Sequence, residues 1–429
     1  MAHDDAGTAP KLDMATCPLA EVNIFDPDLL QDPHLYYRRL RTEAPVFRDP
    51  KTGIVSVATY DLIMEVNRQP LMFSNNFGGQ MRGSMGQMDA EEAQVASEGI
   101  QVANTMLTAD PPVHTRYRKL SMKAFTHKRV EEMGAYVAKV ANELIDGFIE
   151  NGGCEFKSTF ANHLPMTVIA DSLGAPRSDM DLFHRWSDAF VVQLGGISDR
   201  AARLQASRQI NEFQRYFIGI IEAKRAHPTE DVISDLVHAT LAEEGDPRTM
   251  DYSELLSIIQ QLLVAGNETT AHTLTAGMYH LISDPALLAR VLANRDLIPG
   301  FVEETLRLLT PTNNMWRVAM KDAEIGGFHI RQGEMILVRY GSGNRDDHRF
   351  PDPDRFDAER ADARDHLAFG AGIHTCIGAQ LARKEMVTAF GIVLDRLKHP
   401  RFAKGQGAIR YTPNILLRGV EALQIEFAR

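Results

Sequence analysis

Residues 369–378 read FGAGIHTCIG, and this stretch carries the strongest signal in the chain. Gly370 and Gly372 permit a tight turn in which the backbone approaches a flat or bulky group closely. Cys376 follows at the predicted start of an apolar helix over residues 377–397. The free N–H groups and the positive dipole at a helix start favour a thiolate, which is a metal ligand or a nucleophile.

Three other interpretations of Cys376 stay open on the local residues alone. A lone cysteine is most often a buried structural residue. A zinc site needs four ligands, and only His374 lies close to Cys376 in the sequence. Nucleophilic catalysis needs a general base, which the neighbouring residues do not supply.

The composition of the 429 residues excludes several classes of protein. At about 150 residues per domain the length allows one large domain or two to three smaller ones. The 46 basic and 57 acidic residues give a net charge of -11, which disfavours binding to nucleic acid or to anionic membranes. The N-terminus lacks the features of a signal peptide, and no stretch reaches the about 20 apolar residues of a membrane span.

The cysteines indicate the compartment. Cys17, Cys154 and Cys376 are odd in number and far apart, so that no disulfide framework is implied. We therefore expect a reducing, cytoplasmic setting. Cys17 and Cys154 have no assigned role.

Periodicity predicts a helix-rich middle between small sheets. A helix is expected over residues 29–42, then a hairpin of residues 45–47 and 54–57. Residues 74–104, rich in Gly, Met, Gln and Asn, are expected to form a long adaptable loop. Residues 111–310 are expected to be mostly helical, with breaks near residues 151–153, 174–176 and 195–196.

Two further segments are predicted more specifically. Asp251 and Glu254 form a capping-box pattern at the start of the clearest helix. Residues 324–338 indicate short strands with a turn at Gly326 and Gly327, whereas residues 341–372 show no clear period.

The pattern Phe-Gly-x-Gly-x-His-x-Cys-x-Gly resembles the haem-binding loop of the cytochrome P450 superfamily, in its bacterial ferredoxin-dependent type. The resemblance implies that Cys376 is the axial thiolate ligand of haem b (iron protoporphyrin IX), and such a ligand favours O–O cleavage.

The resemblance also implies a mainly α fold with small β-sheets (α+β) and a long central helix over the haem. The expected organisation is a flexible tail over residues 1–20 and one haem-thiolate monooxygenase domain over residues 21–429. The resemblance assigns cofactor contacts to Ala265, Phe369, Gly370, His374 and Gly378.

Glu304 and Arg307 resemble the family's Glu-x-x-Arg element. Residues three apart share a helix face and can pair. By resemblance this pair is structural, because it joins its helix to the irregular segment of residues 344–356 that precedes the cysteine loop.

Residues 265–270, Ala-Gly-Asn-Glu-Thr-Thr, resemble the oxygen-activation element of the family's central helix. The Thr269 hydroxyl can bond back to the carbonyl of Ala265 and bend the helix. Since neighbouring residues point apart, Thr269 is expected to face the distal pocket and Glu268 a water chain leading out. In the family such an acid–alcohol pair supports proton delivery to dioxygen. A polar interruption of a core helix is the structural alternative.

The resemblance places His114 and Arg118, one helical turn apart, on a haem propionate, with Arg317 and His374 as further propionate contacts. Buried carboxylates need cationic donors, and Arg suits their geometry. At any of these positions a lone His or Arg is otherwise usually a surface residue.

The implied reaction inserts one atom of dioxygen into an organic substrate and releases the other as water. Electrons are expected from NAD(P)H through ferredoxin reductase and a small acidic ferredoxin, because no nucleotide-binding or cluster-binding motif remains in the chain. A basic strip offers a docking face for ferredoxin, with an ordinary solvated helix face as the alternative. The strip consists of Arg116, Arg118, Lys119, Lys123, Lys128 and Arg129.

A hydrophobic small molecule is the expected substrate, of the terpenoid, steroid or aromatic hydrocarbon class. Apolar residues dominate the expected lining, and the Met-rich loop is an adaptable wall. Any of these residues can equally be part of the core. The lining is expected from residues 77–107, 190–197 and 312–315, with Gln261, Val264, Ala265, Asn313, Ile415 and Leu416.

Two alternative functions are considered. A peroxide-driven haem-thiolate peroxygenase does not need a Glu268–Thr269 relay. A non-catalytic haem sensor needs neither that relay nor a basic strip.

Overall fold

The computed structural model describes residues 15–78, 89–122, 125–193, 199–240 and 248–428. The fold in these ranges is mainly α with small β-sheets, as the sequence predicts. The α-helices in these ranges are α1 Pro27–Gln31, α2 His34–Glu43, α3 Tyr60–Asn67, α4 Ala90–Ser97, α5 Val113–Met122, α6 His127–Asp146, α7 His163–Ser172, α8 Met180–Gln193, α9 Arg200–Ala226, α10 Val232–His238, α11 Tyr252–Ser283, α12 Pro285–Ala293, α13 Ile298–Leu309, α14 Tyr340–Gly343 and α15 Ala379–Arg396.

The strands form three small sheets in the order β1-β2-β8-β5-β3, β4-β10-β9 and β6-β7. In the first sheet β2 and β8 are parallel, and the other neighbours are antiparallel. The strands are β1 Val46–Arg48, β2 Val55–Val57, β3 Phe73–Ser74, β4 Gly153–Glu155, β5 Met315–Ala319, β6 Ala323–Ile325, β7 Phe328–Ile330, β8 Met335–Val338, β9 Lys398–Phe402 and β10 Gln424–Ala428.

Several local predictions are confirmed. The hairpin pairs Val46 with Val57. The turn between β6 and β7 holds Gly326 and Gly327 at φ of 57° and 76°, a region that glycine enters without strain. The capping box of Asp251 at the start of α11 is complete.

Other local predictions are wrong. The helix expected over residues 29–42 is two helices, because Pro33 lacks an N–H and restricts the residue before it. The loop expected over residues 74–104 contains α4, which Asp89 caps and which α9 holds through an ion pair of Arg203 and Glu92 at 3.0 Å. The rest of that prediction, residues 79–88, lies outside the described residues, as does the break at residues 195–196. The last apolar helix begins at Ala379, two residues later than expected.

The long helix α11 passes through two hydrophobic cores. Its first half, with Leu255 and Leu263, packs in a core shared with α8 and α9. Its second half, with Leu274 and Leu281, packs in a core shared with α6, α13 and α15. Between the halves Ala265 and Gly266 are exposed, although most of the helix is buried. The packing therefore fixes the two ends of the helix and leaves one turn accessible between them.

The described part of the predicted tail contacts the domain. Cys17 and Leu19 pack against the core between α1, α2 and β5, and the carbonyl of Cys17 accepts a hydrogen bond from Arg39. Residues 1–14 lie outside the described residues. The boundary at residue 20 stays a prediction.

Candidate active site

The loop before α15 folds tightly around Cys376. Gly370 and Gly372 adopt φ of 69° and 72°, and a Cβ at Gly372 would overlap the carbonyl oxygen of Asn67. The Cys376 N–H donates to the carbonyl of Phe369 at 2.8 Å. Backbone conformation thus favours glycine at both positions, and space also requires it at Gly372.

The thiol of Cys376 is surface-accessible and lies beside the start of α15. Desolvation by the surrounding protein raises the pKa of this thiol. The N–H of Gly378 and the charges of Arg118 and Arg383 oppose that rise without cancelling it. A bound metal ion would favour the thiolate, because a coordinating thiol loses its proton.

Four basic side chains converge beside the cysteine loop. The rings of His114 and His374 lie 4.4 Å apart between centroids. The Nε2 atoms of both rings are buried without a hydrogen-bond partner. Burial, with Arg317 and His114 nearby, lowers the pKa of His374 to about 3, and burial with Arg118 lowers that of His114. Burial also lowers the pKa of Arg118; the charges of Cys376, acting on Arg118, and of Asp110, acting on His114, oppose these shifts without cancelling them.

Arg317 lies on β5 and is buried. Its guanidinium donates to Asn67 Oδ1 at 2.7 Å, to the carbonyl of Trp316 at 2.7 Å and to the hydroxyl of Tyr340 at 3.2 Å. These contacts fix the guanidinium at the edge of the basic group.

The turn of α11 around Ala265 has the hydrogen bond that the sequence predicts. The Thr269 hydroxyl donates to the carbonyl of Ala265 at 2.8 Å. The neighbouring Glu268 carboxylate lies 3.3 Å from Nε2 of His272, and burial raises the pKa of Glu268. The turn therefore presents an alcohol and an acid side by side.

The family model described as "Cytochrome P450" matches residues 183–419. The chain belongs to the cytochrome P450 family. This P450 is 36% identical to "Cytochrome P450 monooxygenase PikC" of Streptomyces venezuelae over 97% of this chain and 96% of that one. It is 34% identical to "Steroid C26-monooxygenase" of Mycobacterium tuberculosis, over 91% and 92% of the two chains. Its homologues are monooxygenases, and this P450 is an oxidoreductase that incorporates oxygen.

Solved structures agree with the fold. The P450 CYP109Q5 of Chondromyces apiculatus superposes with a TM-score of 0.83 at 32% identity, over 96% of this chain and 99% of that one. CYP109E1 of Bacillus megaterium, solved with testosterone, gives a TM-score of 0.81 at 30% identity, over 94% and 100% of the chains. No helix within the described ranges has the length and apolarity to cross a membrane.

The family implies haem iron, and the residues of this P450 fit that group. Cys376 would supply the thiolate ligand of the iron. His114, Arg118, Arg317 and His374 form a basic group suited to the two carboxylates of iron protoporphyrin IX. The Nε2 atoms of both imidazoles are buried without a partner. Because His374 Nδ1 already faces the carbonyl of Met106 at 3.1 Å, the His374 Nε2 would donate to a carboxylate only from the protonated ring, which a neighbouring carboxylate favours.

The Glu-x-x-Arg pair of this P450 is fully buried. Arg307 donates to both carboxylate oxygens of Glu304, at 2.7 and 2.8 Å. It also donates to the carbonyls of Asn344 and Pro353, each at 2.8 Å. Arg360 adds a second cation to Glu304 at 3.0 Å. The network joins α13 to the irregular segment before the cysteine loop.

The four tentative substrate residues lie in different surroundings. The Gln261 side chain accepts from the N–H of Leu107 at 3.0 Å and donates to Thr105 Oγ1 at 2.6 Å. Val264 and Ile415 are buried in two separate cores. Asn313 is buried and accepts from the hydroxyl of Tyr37 at 2.5 Å, while its Nδ2 has no partner. Their role as substrate lining stays a prediction.

Sequence reasoning missed a cluster behind the cysteine loop. Arg383, on α15, lies 4.5 Å above the ring of Phe369 and donates to Glu303 at 2.6 Å. His366 contacts the same carboxylate at 3.1 Å. Burial alone would raise the pKa of Glu303, but His366 and Arg383 lower it to about 2. His366 and Arg383 lie 63 and 80 residues from Glu303 in the sequence, and partners so far apart form no local motif.

The basic strip is partly neutralised. Arg116 pairs with Glu254 at 3.3 Å, and Arg129 pairs with Asp235 at 2.6 Å. Lys128 has an 85% exposed side chain, 3.8 Å from Glu132. Lys123 lies outside the described residues. The part of the strip that the structure describes therefore offers Lys128, near the start of α6, as a highly exposed charge.

Proposed function

We propose that residues 21–429 form one monooxygenase domain that hydroxylates a hydrophobic small molecule with electrons supplied by a ferredoxin. The observation that carries the proposal is the Glu268–Thr269 pair on the exposed turn of α11. When bound, the haem supplies reductive activation of dioxygen. The balanced reaction consumes dioxygen, two electrons, two protons and the substrate, and gives the hydroxylated product and water.

The chain's own residues would deliver the protons. Thr269 is fixed by its bond to Ala265, at the one turn of α11 where neighbouring backbone is exposed. Glu268 is an adjacent acid whose pKa is raised by burial, which brings it closer to neutral pH where proton exchange is efficient.

This arrangement favours a dioxygen-dependent enzyme over the two alternatives. A peroxide-driven enzyme receives oxygen already reduced and needs no proton-delivering pair. A haem sensor likewise has no use for an acid and an alcohol at this turn. Comparing turnover with ferredoxin and NAD(P)H against turnover with hydrogen peroxide separates the three.

A steroid is the substrate class that we propose to test first. One relative is named a steroid C26-monooxygenase, and one structural neighbour was solved with testosterone. Terpenoids and aromatic hydrocarbons remain within the proposal. Hydrophobic compounds, including testosterone, would be titrated into the haem-loaded protein. The compound that gives the largest shift of the haem from low to high spin would serve as the substrate in the experiments below.

Thr269→Ala is expected to retain the spin shift and to lower the product formed per NADH about tenfold, because the alcohol of the relay is lost. The missing product should reappear as hydrogen peroxide. Thr275→Ala is the matched control, since its hydroxyl makes the same backbone bond at 2.8 Å in a buried part of the same helix. Unchanged product per NADH in Thr269→Ala would contradict the relay.

The electron donor is proposed to dock near the start of α6. Lys384 on α15 pairs with Glu131 on α6 at 2.7 Å, which brings the start of α6 beside the helix that follows Cys376. A positive surface there would attract an acidic ferredoxin.

Lys128→Glu is expected to raise the ferredoxin concentration for half-maximal reduction about threefold at low salt, because an attractive charge becomes repulsive. The difference should shrink as ionic strength rises. Lys139→Glu is the control: it lies on the same helix, is 67% exposed and is also 3.8 Å from a glutamate four residues on. Equal effects of the two variants would count against this docking face.

A further inference from the structure

Glu268 has an unexpected neighbour one helical turn away. His272 Nε2 lies 3.3 Å from Glu268 Oε2, and both residues are on α11. His272 is buried, with a side chain only 5% exposed. Its Nδ1 is also buried and has no hydrogen-bond partner. Among the described residues, Glu268 is thus the polar side chain that this imidazole contacts.

The absence of a side chain at Gly419 makes room for the His272 ring. A Cβ at Gly419 would overlap three atoms of the imidazole, namely Cε1, Nδ1 and Cγ. The Gly419 backbone is itself held, because its carbonyl accepts the N–H of Thr412 at 3.0 Å. The ring therefore packs against a fixed backbone and points its other nitrogen at Glu268.

The proton of the neutral imidazole is best placed on Nε2. Burial lowers the pKa of His272 to about 3, so the ring carries one proton at neutral pH. A buried N–H without an acceptor is rarer in proteins than an unpartnered acceptor. Since Nδ1 has no partner, the proton belongs on Nε2, where Glu268 can accept it.

Two other charged groups act on this pair. Lys157, in the helical turn before α7, lowers the pKa of both Glu268 and His272. Asp188, on α8, raises the pKa of Glu268, which burial has already raised. A donor from His272 would oppose the effect of burial, because it would stabilise the carboxylate.

We propose that His272 is a positioning residue for the proton-relay acid: its Nε2–H holds the Glu268 carboxylate, and the backbone at Gly419 holds the ring. The role in catalysis rests on the proposed function, but the 3.3 Å contact does not. Loss of this contact should raise the pKa of Glu268.

The test follows the protonated Glu268 carboxyl directly, by its infrared C=O band in the haem-loaded protein. Subtracting the spectrum of Glu268→Gln isolates this group from other buried acids, such as Glu385. In His272→Leu the band is expected to persist to a pH about 1 higher, because a hydrogen bond to a charged group is lost. In His272→Gln, whose amide can donate from a similar position, the shift should be largely restored.

Gly419 provides an independent test of the same contact. Gly419→Ala should shift the band as His272→Leu does, because the added Cβ displaces the ring. Adding His272→Leu to Gly419→Ala should produce no further shift. An unshifted band in His272→Leu, or additive shifts of the two changes, would overturn the proposal.

A catalytic readout separates this proposal from the proposed function. The pH dependence of product formed per NADH should move upward with the infrared band in His272→Leu, and return in His272→Gln. If the band moves but product per NADH does not, the positioning contact stands and the role of Glu268 in the proposed reaction fails. If neither moves, the contact itself is refuted.

Discussion

Replacing Cys376 by Ser is expected to abolish the red-shifted absorption band of the carbon monoxide complex of the reduced protein. That band depends on a thiolate donor, and a serine hydroxyl cannot supply its electron density. Substrate oxidation should fall below detection, by at least about a thousandfold, because the same donor favours O–O cleavage. The absorption spectrum and product analysis provide the two measurements.

Cys154→Ser and Cys17→Ser are the controls for this prediction. Burial raises the pKa of the Cys154 thiol to about 12, so that it stays protonated. Both control variants should keep the red-shifted band. Retention of the band in Cys376→Ser would refute the assignment of Cys376 as the ligand.

Removing Arg307 is expected to have the largest effect on stability. Arg307→Met leaves the carboxylate of Glu304 buried with Arg360 as its remaining cation, and frees the carbonyls of Asn344 and Pro353. Breaking a buried pair on one side destabilises a protein by about 3–5 kcal/mol. Urea unfolding of the haem-loaded protein, followed by the haem spectrum and by circular dichroism, measures the loss.

Two further variants keep this second prediction testable if Arg307→Met does not fold. Arg307→Lys retains the charge but loses the fork that reaches two carbonyls, and should show an intermediate loss. Arg401→Met breaks a 3.0 Å ion pair with Glu426, where the arginine is 59% exposed, and should cost less than about 1 kcal/mol. Equal unfolding midpoints for Arg307→Lys and the unchanged protein would show that the network contributes little.

Local signals predicted the elements whose geometry is set by nearby residues. The glycines at 326 and 327 define the turn between two strands, and Asp251 defines the start of α11. The helix α4 shows the limit of such signals. Asp89 and Glu92 form the same capping box there, but the helix is also held by arginines about 110 residues away, including Arg203.

The candidate site also has parts that the sequence predicted and parts that it did not. The cysteine loop and the turn at residues 265–270 are each one continuous stretch of sequence, so their resemblance to the family's motifs located them. The contact of Glu268 with His272 was within reach of the sequence, since residues four apart share a helix face. The contact of His272 with Gly419 was not, because it spans nearly 150 residues and depends on packing.

The two-core packing of α11 has a consequence for how this protein can change. Leu263 and Leu274 anchor the helix on either side of the exposed residues Ala265 and Gly266, and a Cβ at Gly266 would meet nothing within 4 Å. Folding therefore depends little on the side chains at these two positions, whereas the following Asn267 is buried. Libraries of substitutions at residues 265 and 266 should yield folded proteins with altered chemistry, so that they can be selected for activity without a prior selection for solubility.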